Sequence, residues 1–169
     1  LQQLDLKNAD RIVFCADGAP CLWKRIPDLM DKLNIAQWYE ALDYTHAKQN
    51  LYQIAEMIPR SLAHHQQEVF EYWKELLWCG EFDELRSTIE ELFRSPKKRK
   101  QALKKFDNYF AGNKDRMRYS LFKDQNLPTG SGAVESAIRR VINLRIKGAG
   151  IFWTAEMAEA MLFLSSQLL

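Results

Sequence analysis

The chain has 169 residues, of which 47% are apolar and 27% charged, and its net charge is +2. That composition supplies an ordinary globular core and excludes intrinsic disorder, and no run of about eighteen apolar residues offers a membrane span. LQQLDLKNAD lacks a secretory pattern, and Cys15, Cys21 and Cys79 fit a reducing cytoplasm better than a disulfide framework.

The apolar run RIVFCA at 11–16, closed by Asp17-Gly18, predicts a buried strand ending in a turn. Leu22, Ile26, Leu29, Met30 and Leu33 predict one helix over 22–33, with Pro27 tolerated near its first turn. QWYEALD at 37–43 predicts a second strand. Strand, helix, strand in this space demands a parallel pair. Beyond Thr45 the spacing is helical: 45–58 stopped by Pro59, 61–79 stopped by Gly80, and then 81–94. Ser95 and Pro96 start a helix through Phe110. A short helix over 114–123 precedes the loop NLPTGSG, followed by a helix from Ser131 through Arg145 and a last one over 155–168 capped by Thr154. The expected class is α/β and mostly helical. Two strands leave two sheet faces to be covered, and the chain begins without Met, so we expect a piece of a longer protein.

The small net charge conceals a division. Residues 1–93 carry 9 Lys/Arg against 16 Asp/Glu, whereas residues 94–147 carry 15 against 4. So basic a block is an electrostatic footprint for a polyanion, because each neutralised phosphate releases condensed counterions. Solvated helix faces are the plain alternative. Lys97, Lys98, Arg99 and Lys100 form its densest run.

Asp17 and Asp43 each close a strand at its C-terminal end, where open α/β sheets hold functional groups. Glu135 falls one turn into the helix after the GSG loop. Three carboxylates from two strand ends and one helix suit a hard cation, Mg2+ or Mn2+. Asp after a strand is equally a turn former. His46 follows Asp43 by three residues and fits capping or positioning better than zinc, since Cys15, Cys21 and His46 lack ligand spacing. The adjacent His64 and His65 point apart on a helix and read as surface. GSG at 130–132 lacks the Lys and spacing of a phosphate loop, and no nucleophile elbow occurs.

Three blocks, CADGAPCLW, ALDYTHAKQNL and RMRYSLFKDQNLPTGSGAVESAIRRVINLRIKGAGIFW, resemble the catalytic core of bacterial insertion-sequence transposases of the DDE type. The similarity points to the Kra-type subgroup, with Mutator-like relatives, and runs across nearly the whole chain. It implies a partial RNase H-like fold over 1–57, an all-helical insertion over 58–125, and a return to the core over 126–169. It implies Asp17 and Glu135 as catalytic, metal-holding carboxylates for two Mg2+ or Mn2+ ions, with Asp43 and His46 in support. Arg139, Arg140, Arg145 and Lys147, with Lys97, Lys98, Arg99 and Lys100, are then expected at the DNA backbone. DNA is the implied partner, with a homo-oligomer in the full-length enzyme, no membrane, and a cytoplasmic, nucleoid-associated setting. The family's first Asp belongs upstream of these residues, and Asp5 and Asp10 do not replace it. The chain by itself is therefore expected to be the C-terminal portion of a transposase, inactive alone. Two alternatives stand beside this reading: an inactive DNA-binding or regulatory remnant, and a helical protein-interaction module.

Overall fold

Val13–Ala16 forms strand β1 and Tyr39–Leu42 forms β2, and they pair in parallel with Val13 opposite Tyr39 and Ala16 opposite Leu42. These elements belong to a computed structural model that describes residues 8–132, 136 and 153–166. The chain divides into two compact units, Leu1–Gly130 and Ser131–Leu169.

The period-two alternation of strand side chains divides the strand pair between two cores. Phe14, Ala16 and Leu42 turn into a large helical core, while Val13, Cys15 and Ala41 meet Phe122 and Leu127 on the other face. Between the strands, the expected single helix is two: α1 at Pro20–Trp23 and α2 at Ile26–Lys32. Pro27 explains the break. Its ring opposes the carbonyl four residues back, that of Trp23, and it carries no N–H to continue the ladder. Asn34, at φ 55°, turns the chain toward β2.

Helix α3, Tyr44–Ala55, starts directly at the end of β2 and buries Ala47, Leu51, Ile54 and Ala55. The segment expected to be one helix over 61–79 begins as a 3-10 turn at Arg60–His65 and becomes α4 at Gln66–Cys79. Gly80, at φ 81°, ends α4 in the left-handed conformation that favours glycine. Helix α5 spans Phe82–Leu92 and α6 spans Pro96–Tyr109, with Ser95 at the N-cap and Pro96 in the first turn, as the sequence predicts. A 3-10 turn at Ala111–Arg116 then delays α7 to Tyr119–Asp124, later than the expected start at 114. One core runs through these helices, with Leu51, Trp73, Leu77, Leu85, Ile89, Phe93, Phe106, Phe110 and Tyr119 almost wholly removed from water. Arg116 fastens its turn to the sheet: its Nε donates to Glu40 at 2.6 Å, and its guanidinium lies 4.6 Å from the Trp23 ring centre.

In the second unit, helix α8 spans Ala155–Ser166, and Thr154 Oγ1 accepts the Met157 N–H at 3.3 Å, the expected cap. Among the described residues no helix is long and apolar enough to cross a membrane. The described protein is mostly helical around a small parallel strand pair.

Candidate functional site

Parallel pairing in this register sets the two strand ends side by side. The Asp43 N–H donates to the Ala16 carbonyl at 2.8 Å, so Asp17 and Asp43 leave the sheet at neighbouring positions. Their surroundings then differ sharply.

Asp17 is exposed and opens a turn, its Oδ1 accepting the Ala19 N–H at 3.1 Å. Gly18, the next residue, has φ 89°, and a Cβ there would lie 3.0 Å from Leu42 Cδ1 and 3.4 Å from Tyr109 Cε2. The turn that presents Asp17 therefore requires glycine twice over, for its dihedral and for its space.

Asp43 is 1% exposed. Its Oδ1 accepts the Thr45 N–H at 2.7 Å and the His46 N–H at 3.3 Å, satisfying two of the orphan donors at the start of α3. The loop that carries GSG crosses here. Thr129 accepts the Tyr44 N–H at 2.9 Å, and a Cβ on Gly130 would sit 3.5 Å from Asp43 Oδ1. His46 Nδ1 lies 3.6 Å from Asp43 Oδ1, beyond hydrogen-bond length, and has no hydrogen-bond partner among the described residues. Its backbone carbonyl accepts the Asn50 amide at 2.9 Å.

Tyr109 and Tyr119, which carry no sequence signal, stand at the site together with Cys15. Tyr109, at the end of α6, donates its hydroxyl to the Asp17 carbonyl at 3.4 Å. Burial, then the charges of Asp17 and Asp43, push its phenol up to about 12. Tyr119 is fully buried, with its hydroxyl unpartnered among the described residues; burial first, then Tyr109 and Asp43, raise its phenol. It packs 4.8 Å from Tyr44 and 5.9 Å from Trp78, ring centre to ring centre. Cys15, expected as a packed strand residue, is half-buried, and burial with the nearby Asp43 pushes its thiol up to about 11. No spacing rule joins Tyr109 to Asp17, since 92 residues separate them.

The structure therefore brings Asp17, Asp43 and His46 together at one edge. Glu135, Arg139, Arg140, Arg145 and Lys147 lie outside the described residues. Of the basic run, Lys97, Lys98 and Lys100 are exposed. Lys98 donates to the Met57 carbonyl at 3.4 Å, and Arg99 turns inward to the Phe93 carbonyl at 3.0 Å. His64 and His65, expected to point apart on a helix, instead end a 3-10 turn with ring centres 4.0 Å apart, and His65 pairs with Glu68 at 2.9 Å on the surface.

Among the described residues no three His, Cys, Asp or Glu side chains are grouped to hold a metal ion. Asp17 fits the role of a metal ligand: it is exposed at a strand end, with one carboxylate oxygen unengaged by any described residue. Asp43 suits that role less, because its Oδ1 already serves two amides in a buried setting. No protein-family model, curated protein or solved structure matches the chain.

Proposed function

We propose that this chain is part of a DNA transposase of the DDE type, in which Asp17 and Glu135 hold divalent metal at an RNase H-like strand edge. The observation that carries the reading is convergence. Parts of the three blocks that resemble the family meet at one point: Asp17-Gly18, Asp43 through His46, and Thr129-Gly130. Glu135 follows Gly130 by five residues in the chain.

Each residue has a definable task. Asp17, on a turn fixed by Gly18 and held by Tyr109, offers an oxygen to the metal from a rigid strand end. Glu135 supplies a second carboxylate. Asp43 caps the start of α3 beside the passing loop, which the Tyr44 N–H ties through the Thr129 carbonyl. His46, adjacent to Asp43, contributes position. Two Mg2+ or Mn2+ ions about 4 Å apart supply, when bound, an activated water or 3′-hydroxyl and stabilisation of the leaving oxygen at phosphorus. Lys97 and Lys100, with Arg139, Arg140, Arg145 and Lys147, neutralise backbone phosphates and hold DNA without reading bases.

Metal binding tests the reading. The expected outcome is Mn2+ binding by the chain, followed by electron paramagnetic resonance, that Asp17→Asn and Glu135→Gln each weaken at least tenfold and Asp43→Asn changes much less. Mn2+ binding indifferent to both Asp17→Asn and Glu135→Gln would sink the shared-site claim. Salt-sensitive DNA binding with no Mn2+ binding would favour the inactive DNA-binding remnant.

A further inference from the structure

Helix α6 connects the basic run to the strand edge, and its outward face has an unusual composition. Lys97, Lys100, Gln101, Lys104 and Asn108 follow helical spacing and are all exposed. Every one of them offers a hydrogen-bond donor, and none is acidic. None of their side chains has a hydrogen-bond or ion-pair partner among the described residues. The nearest acid on the helix, Asp107, is already engaged by Arg86 at 3.0 and 3.3 Å. On the opposite face Ala102 and Phe106 are buried, which fixes the orientation of the stripe.

Two further features give the stripe direction. The first turn of α6 contains no acid, although the positive pole of a helix disfavours cations and favours carboxylates. Lys97 and Lys100 therefore add to the helix dipole where an ordinary solvated helix would oppose it. At the other end, Asn108 precedes Tyr109, whose hydroxyl meets the Asp17 carbonyl at 3.4 Å. From Lys97 to Asn108 the stripe runs about 17 Å at the ordinary helical rise. Phosphates of one strand rise about 3.4 Å each along the duplex axis and lie farther apart along the inclined backbone itself, so the stripe spans fewer than about five nucleotides.

We infer that the outward stripe of α6 is a track for the phosphate backbone of one strand of a DNA duplex, leading it to the Asp17 strand edge. The inference rests on the DNA reading proposed above and adds the surface and the length of its contact. It also divides the basic run: Lys97, Lys100 and Lys104 meet phosphate, whereas Arg99 is committed to the Phe93 carbonyl.

The test is fluorescence anisotropy with a labelled duplex of about 20 base pairs over a range of salt, each phosphate contact contributing about −0.9 to the slope of log affinity against log salt. The stripe variant is K97Q/K100Q/K104Q. The control is K24Q/R25Q/K32Q, which removes the same charge from three exposed cations elsewhere. Far-ultraviolet circular dichroism verifies that both remain folded. We expect the stripe variant to flatten the slope by about 2.7 and the control to change it by less than about 1. Equal effects of the two variants, or none, would overturn the track while leaving DNA binding in place. Equal stripe dependence toward polyglutamate would overturn the assignment to DNA. A wild-type chain that does not bind duplex DNA at low salt would overturn the DNA reading, and the track with it.

Discussion

Replacing glycine by alanine at three positions separates backbone strain from crowding at the Asp17 turn. Gly18 has φ 89° and its Cβ would stand 3.0 Å from Leu42 Cδ1, a core side chain with no exposure. The dihedral costs an L-residue about 1–2 kcal/mol, and displacing a packed neighbour costs about 1–3 kcal/mol. Gly18→Ala should therefore destabilise by about 2–5 kcal/mol, a large part of a typical total of about 5–15 kcal/mol. Gly80, at φ 81°, meets nothing nearer than Phe82 Cε2 at 3.9 Å, so Gly80→Ala isolates the dihedral cost of about 1–2 kcal/mol. Gly112 has open space and no positive φ, and Gly112→Ala should be neutral or stabilising by up to about 1 kcal/mol. Urea denaturation followed by tryptophan fluorescence reads this order, since Trp73 and Trp23 lie in the core. Gly18→Ala within about 0.5 kcal/mol of Gly112→Ala would refute the account of the turn.

Asp43→Ala should cost about 1–2 kcal/mol by removing the α3 cap, with Asp43→Asn milder because its amide oxygen still accepts; equal losses in urea melts would refute the cap. Lys97→Glu should raise stability by about 0.3–1 kcal/mol through the α6 dipole while weakening DNA binding, and thermal melts paired with anisotropy check the opposed signs. Burial holds Cys15 and Tyr109 neutral in the fold, so their folded pKa values exceed the ordinary 9.0 and 10.0. Their stabilisation is whole below those values and is lost as pH rises toward about 11 for Cys15 and about 12 for Tyr109. Denaturation midpoints measured between pH 8 and 11.5 should fall, and Cys15→Ala and Tyr109→Phe should each flatten part of that fall.

Most of the element order was legible because apolar spacing and punctuation residues act locally. RIVFCA closed by Asp17-Gly18 holds β1, and Ser95-Pro96 opens α6, both as predicted. The errors have causes of two kinds, one steric and local, the other long-range. Leu22 through Leu33 carry helical spacing across Pro27, yet hydrophobic periodicity does not register the clash with the Trp23 carbonyl. Residues 111–116 wind as a 3-10 turn, where Asn113 donates to the Tyr109 carbonyl at 2.8 Å and Arg116 reaches back to Glu40. That second contact spans 76 residues, so no window of sequence contains it.

The candidate site was legible to the same depth. Two aspartates at parallel strand ends are a pattern, and the structure sets them at neighbouring positions. The pattern does not distinguish them, because their difference arises from the backbone that each one leads into. After Asp17 comes a glycine with positive φ, which turns the backbone away and leaves the carboxylate in water. After Asp43 comes a helix whose first amides claim the carboxylate and draw it to 1% exposure. The same residue type at the same topological position thus becomes a candidate ligand in one strand and a scaffold in the other. Tyr109 reinforces the asymmetry, since it reaches the Asp17 turn from a helix that begins in the basic run. An exposed carboxylate and an outward helix face without acids are thereby tied through one element, which is the arrangement that the proposed metal and DNA sites would need.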